Sequence, residues 1–148
     1  MSFHGGFLGV VIAGTLFSIK NNVPILSLGD IIAFSSPPGL FFGRLANFVN
    51  GELWGRQTSS IWGIKFTKGG GQFCSENETE VCLRHPSQLY EALFEGIFLL
   101  IVLFTLVYIF KALKKPGLTF GSFVMGYGII RFFIEFVRET DSFFVTET

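Results

Sequence analysis

Ionisable side chains set among apolar runs are where this sequence could do chemistry. His4, Arg44, Glu91, Glu95, Arg131 and Glu135 all lie within or at the edge of such runs. In a bilayer a central Arg, Lys or Asp costs about 2.5–3.5 kcal/mol on insertion scales, so such residues mark function by default. Tyr127, Arg131 and Glu135 recur every four residues and share one stripe of a helix. That spacing allows two readings: an Arg131–Glu135 pair that neutralises itself with Tyr127 packed nearby, or an anion site facing a bundle interior. Gly117, Gly121 and Gly128 would permit close helix packing there.

The segment Gly43–Arg56 is the densest in the chain. Arg44 and Asn47 share a helix face, Asn50-Gly51 is a turn signal, and Glu52 and Arg56 follow as the chain leaves its apolar run. Trp54 and Trp62 fit an aromatic belt at a membrane interface. A snorkelling Arg44 with a belt loop would leave Asn47, Asn50, Gly51, Glu52 and Gly55 unexplained. His4-Gly5-Gly6 opens the first apolar run. A lone His there is more often a cap or an interfacial residue, yet neutral imidazole can act as base or donor near pH 7. The glycines would let a ligand approach the backbone. In His85-Pro86-Ser87-Gln88-Leu89-Tyr90-Glu91, helix initiation with Ser87 as N-cap accounts for Pro86 and Ser87, but not for His85 or Gln88.

Two arginines at one depth suit an anionic lipid headgroup, because guanidinium binds phosphate through two parallel hydrogen bonds. No His-Glu-x-x-His pattern, P-loop or Gly-x-Ser-x-Gly elbow is present, so hydrolysis by those routes is unsupported. No metal and no cofactor is expected.

These side chains need elements to carry them, and the composition says which kind. Of 148 residues 49% are apolar, 17% aromatic and only 15% charged, with a mean hydropathy of +0.54. Soluble domains are about a quarter charged, so an integral membrane protein is expected. The 11 basic and 11 acidic residues cancel, which implies no nucleic-acid partner. Candidate spans are Phe3–Ile19, Leu28–Phe48, Leu89–Phe110 and Gly117–Val137, with a kink expected at Pro37-Pro38. The predicted fold is an all-α polytopic transmembrane bundle of about four spans, a single membrane domain with a long outer loop at about 49–88.

Lys20 and the Lys111, Lys114, Lys115 cluster place the two short loops in the cytoplasm. The long loop and both chain ends then lie outside it, and every polar group named above gathers toward the outer membrane face. Asp30 alone falls toward the inner end. Cys74 and Cys82 lie in the outer loop, where a disulfide and two free thiols are equally open. Asn77-Glu78-Thr79 fits a glycosylation sequon, but for so short a pattern chance is the better reading. Gly69-Gly70-Gly71 marks a flexible stretch.

The motifs resemble a known bacterial family, the prolipoprotein diacylglyceryl transferases. The resemblance rests on Ser2-Phe3-His4-Gly5-Gly6, on Gly43–Arg56, on His85–Glu91, and on Tyr127 to Asp141 with Arg131, Glu135-Phe136 and Arg138. The second of these is the most specific. It implies an enzyme of the bacterial inner membrane, active toward the outer face. The family moves a diacylglyceryl group from phosphatidylglycerol to the thiol of a prolipoprotein's lipobox cysteine, and glycerol phosphate leaves. The resemblance makes His4, Arg44 and Arg131 the catalytic residues. The arginines would hold the lipid phosphate, and His4 would orient or deprotonate. Asn47, Glu52 and Gly55 would shape the headgroup pocket, with Gly5, Gly6, Asn50, His85, Tyr127 and Glu135 also on the substrate-binding side. Partners are then phosphatidylglycerol, the lipobox signal peptide and the membrane. Family members carry helices before the His-Gly-Gly motif and after the last motif, so a truncated chain is expected. The alternative reading is a catalytically inactive membrane module that keeps the lipid-binding motifs.

Overall fold

The structure, a computed structural model, describes residues 3–66 and 82–138, without the side chains of Phe3 and His4. Helices α1 (Phe3–Asn21) and α2 (Ile25–Asn50) are joined by a tight turn. After the outer segment come α3 (Ser87–Glu91), a π-helical segment (Ala92–Phe98) and α4 (Leu99–Tyr108), which run on as one helix of 22 residues. Helix α5 (Leu118–Glu135) follows a single 3₁₀ turn at Ala112–Lys114. The only strand pairing among the described residues is β1 (Ile64–Lys65) against β2 (Leu83–Arg84), antiparallel.

The protein is an all-α membrane protein. Three helices are long and apolar enough to cross a bilayer: Ile25–Asn50, Ser87–Tyr108 and Leu118–Glu135. The first expected span is helical as well, but its apolar part, Gly5–Asn21, is shorter. Large apolar side chains point outward along every helix, among them Phe17, Phe42, Ile101 and Phe132. In water such a surface would aggregate; against lipid tails it costs nothing. The interior is small, with Ala33, Ala92, Leu99, Leu103 and Ile134 at its centre.

With no hydrophobic drive between helices in lipid, close backbone approach carries the packing. Of the glycines expected to provide it, Gly117 packs against Leu26 of α2, 3.6 Å from where its Cβ would be, but the closest approaches lie elsewhere. Added Cβ atoms at Gly121 and Gly128 would meet nothing within 4 Å. At Gly96 a Cβ would sit 2.6 Å from Phe41 Cβ, and at Gly126 2.8 Å from Leu99 Cδ1. Gly96 is the contact that lets α2 lie against the π-helical segment. Pro37-Pro38 falls inside an unbroken α2, and Pro37 is buried.

Asp30, the residue apart from the others, has a structural task. Helix α5 begins at Gly117 with no side-chain cap of its own. Asp30 reaches across from α2: its Oδ2 accepts the Gly117 N–H at 2.7 Å and its Oδ1 the Phe120 N–H at 2.8 Å. A carboxylate at a helix N-terminus satisfies orphan donors and meets the positive end of the dipole. Hydrogen bonds to a charged group are worth about 1.5–3 kcal/mol each. Asp30→Ala is therefore expected to lower the thermal unfolding midpoint in detergent well below that of Asp30→Asn, which keeps one acceptor. Equal midpoints for the two variants and the parent would show that the cap contributes nothing.

Candidate functional site

The site is built on the third long helix. Glu91 closes α3 and Glu95 lies one turn on, inside the π-helical segment, where turns are wider and functional sites are frequent. Both carboxylates are buried, at 1% and 0% exposure. Arg44 comes to them from α2 and Arg131 from α5. Arg44 Nε stands 3.0 Å from Glu91 Oε2, and its Nη2 3.4 Å from Glu95 Oε2. Arg131 Nη1 lies 2.7 Å from Glu91 Oε1 and 3.4 Å from Glu95 Oε1. Two carboxylates thus tie three helices together through two guanidinium groups, Arg44 with two nitrogens and Arg131 with one. Each charge makes the burial of the others tolerable, since an unpaired charge in a low-dielectric interior is costly.

This adds partners that neither reading of the Tyr127–Arg131–Glu135 stripe contained. Glu135 is Arg131's most distant partner, at 3.9 Å, and is half exposed. The close partners of Arg131 are on another helix. Tyr127 stacks on Phe123, with ring centroids 5.9 Å apart, and its hydroxyl has no hydrogen-bond partner among the described residues. Glu91 and Glu95 were not among the expected binding residues. The sequence did carry a signal for them: two carboxylates four apart at the mouth of the most apolar span, with no cation on that helix to pair with.

The arginines are not closed off by these pairs. Arg44 lines an open cleft of about 220 Å³ together with Gly39, Leu40, Gly43 and Asn47. Among the described residues, Arg44 Nη1 and the Asn47 side-chain amide have no partner. A ligand anion entering this cleft would find a guanidinium group and an amide side chain in its wall.

The other expected residues form a cap over the helix ends. Gly51 (φ 71°) closes α2 in the left-handed region, with Gly51 N–H to Phe48 O at 3.1 Å and Glu52 N–H to Asn47 O at 2.9 Å. This is the paired bonding of a Schellman C-cap, and it accounts for the Asn50-Gly51 signal as a helix stop. Asn50 and the Glu52 side chain are exposed. Gly55 is buried where three segments cross. It donates to His85 O at 2.9 Å, and a Cβ there would lie 2.8 Å from both His85 O and Val137 O. His85 presents Nδ1 to the Tyr90 hydroxyl at 3.5 Å.

Ser87 is not the N-cap. Pro86 holds that place without a side-chain bond, and the Ser87 hydroxyl donates to Leu53 O at 3.0 Å. Gln88, fully buried, donates to Glu52 O. Both side chains stitch the cap to the third helix. Trp54, expected in an interfacial belt, has partners within the cap. Its ring lies 5.7 Å from the Arg84 guanidinium and 6.3 Å from the Phe66 ring. Cys82 is disulfide-bonded, which removes the reading of two free thiols.

Gly5 and Gly6 lie on α1, where an added Cβ would meet nothing within 4 Å, so no described contact joins them to the arginine cluster. The His4 side chain, Gly69-Gly70-Gly71, Cys74 and Asn77-Glu78-Thr79 lie outside the described residues. Among the described residues no group of three or more His, Cys, Asp or Glu could hold a metal ion.

Comparison with known proteins adds to this geometry. The family model described as prolipoprotein diacylglyceryl transferase matches residues 1–148. Several similar proteins are named phosphatidylglycerol–prolipoprotein diacylglyceryl transferase. One from Cereibacter sphaeroides is 50% identical over 146 residues, covering 99% of this chain and 50% of that protein. One from Ruegeria pomeroyi is 51% identical over 146 residues, covering 99% and 49%. One from Rhizobium leguminosarum bv. trifolii is 54% identical over 142 residues, covering 96% and 47%. The chain spans about half the length of the curated relatives it matches.

Proposed function

The chain belongs to the prolipoprotein diacylglyceryl transferase family, and from that premise we propose that Arg44 and Arg131 hold the phosphate of phosphatidylglycerol during diacylglyceryl transfer to a lipobox cysteine. In that reaction a sulfur–carbon bond forms at the glyceryl carbon and the carbon–oxygen bond to phosphate breaks. The bonding pair leaves with glycerol phosphate, and the thiol proton passes to a base. The attacking species is the thiolate. The phosphate gains negative charge as it departs, and fixed donors aimed at developing charge lower a barrier most. The observation that carries this reading is the convergence of two guanidinium groups from α2 and α5 on one carboxylate pair, with Arg44 also lining the cleft.

In this proposal Asn47 adds a donor beside Arg44, while Gly55, His85 and Glu52 shape the roof and Tyr127 and Glu135 flank Arg131. Gly5, Gly6 and Asn50 remain on the substrate side, and His4 orients or deprotonates. The protein sits in the bacterial inner membrane with this site at the outer face, in keeping with Lys20 and Lys111–Lys115 marking cytoplasmic loops. The test is a transfer assay in membranes with phosphatidylglycerol and a lipobox peptide. Thioether-linked diacylglyceryl product supports the proposal. Phospholipid binding without product supports the second reading, an inactive lipid-binding module, which the existing pairing of both arginines with carboxylates favours.

The reacting thiol belongs to the substrate, so Cys74 and Cys82 have no chemical part. Replacing both by Ser is expected to leave the transfer rate per inserted protein unchanged. Lost transfer with normal insertion would contradict this.

A further inference from the structure

We infer that the turn carrying Ile61 and Trp62 is a membrane anchor, dipping these side chains into the headgroup layer of the leaflet above the site. They are among the most exposed large apolar side chains of the outer segment, at 91% and 71%. The turn that presents them is held rather than loose. Gly63 N–H bonds Ser60 O at 2.9 Å, Ser60 N–H bonds Thr58 Oγ1 at 3.1 Å, and Thr58 N–H bonds Leu83 O at 2.9 Å. Beyond the tip, Ile64 pairs with Arg84 and Lys65 with Leu83.

These tethers fix the height of the turn. Leu83 and Arg84 precede the start of the third long helix at Ser87 by three or four residues. Extended chain covers at most about 3.6 Å per residue, so the anchoring pair lies within roughly 15 Å of the helix end. On its other side the segment is pinned to α2, through the Phe66 ring 5.9 Å from Phe48. The polar layer of a bilayer adds some 5–8 Å per side to the hydrocarbon core, a depth that falls inside this reach.

The chemistry of the tip fits that layer. Tryptophan prefers the interface because its ring is apolar and its N–H needs a polar partner. Trp62 makes no ring contact and its indole N–H no hydrogen bond among the described residues. Thr58, Ser59 and Ser60 on one side and Lys65 on the other offer donors and a positive charge to phosphates. Other apolar side chains of this part of the chain are exposed too: Leu83, packed beneath Gly63, and Leu53 and Val49 at the end of α2. Trp54 contrasts with all of this, lying between Arg84 and Phe66 inside the cap.

The chain has two tryptophans, so Trp54→Phe leaves Trp62 as the sole indole. The full chain is reconstituted in phosphatidylcholine–phosphatidylglycerol vesicles. Their acyl chains are brominated either near the headgroup or near the terminal methyl. Blue-shifted emission, quenched by the shallow label more than the deep one, is the expected result. Emission at the wavelength of hydrated indole, quenched by acrylamide alone, overturns the inference. Blue-shifted emission that neither label quenches means that protein covers Trp62, and overturns it equally. Should Trp54→Phe fail to insert, Trp62→Phe is measured against the parent, and the lipid-quenched component must disappear. The readout requires no transfer activity, so it stands or falls apart from the transferase proposal.

Discussion

Arg131→Lys and Arg44→Lys, each made in an active full-length relative context, are expected to reduce transfer roughly ten- to hundredfold without a matching loss of protein. Lysine keeps the charge but not the planar fork. The fork matters geometrically. Arg44 sends Nε to Glu91 and Nη2 to Glu95 and also lines the cleft. Arg131 contacts Glu91 and Glu95 through Nη1 and Glu135 through Nη2. At Arg44, where two nitrogens reach the two carboxylates, a single ammonium cannot make both contacts and also meet a phosphate; at Arg131, where Nη1 alone meets both, lysine loses the second, Nη2 edge. Hydrogen bonds to charged groups are worth about 1.5–3 kcal/mol, and a factor of ten in rate is about 1.36 kcal/mol, which gives the range. Transfer rate and membrane protein level are measured together. A near-normal rate in Arg131→Lys returns that residue to a purely structural ion pair, and a rate that falls only in step with protein level does the same.

The sequence made the class of fold legible, because apolar length is a direct measure of bilayer span. Leu89–Phe110 could be located within two residues at each end of the observed Ser87–Tyr108. It could not show the π-helical stretch Ala92–Phe98, since local composition does not distinguish a wider turn from an α-turn. The site was half legible. Arg44 and Arg131 stood out because each is a charge where charge is costly. Glu91 and Glu95 stood out for the same reason, but their pairing with the arginines did not, because the i, i+4 neighbour Glu135 offered a local explanation that long-range packing overrides. The glycines failed for the same reason: periodicity nominates Gly121 and Gly128, but only the position of Phe41 shows that Gly96 is the close contact. Within Gly43–Arg56, sequence could not separate residues that meet a ligand from those that build the cap. Gly51 ends a helix and Gly55 admits a crossing backbone, while Arg44 and Asn47 face open space.

Glu91→Gln is the variant expected to do most harm to the folded protein. Glu91 is the hinge of the ion network, with one oxygen on each arginine at 3.0 and 2.7 Å. Glutamine keeps the shape and one acceptor, but its amide turns a donor toward a guanidinium that can only donate. Glu95 is then the one buried carboxylate left to face both arginines. Removing one partner of a buried pair typically costs about 3–5 kcal/mol, because the remaining charge stays buried without compensation. Glu135→Gln supplies the control on the same arginine. Its carboxylate is half exposed and 3.9 Å away, where pairs are worth about 0–1 kcal/mol. Thermal unfolding in detergent, followed for both variants, should show a large drop for Glu91→Gln and little change for Glu135→Gln. The double variant Glu91→Gln, Arg131→Gln should recover part of the loss, since it removes the charge that was orphaned. If Glu135→Gln proves the more damaging, the helical i, i+4 pair holds Arg131 in place, and the inter-helix network is not what positions the two arginines.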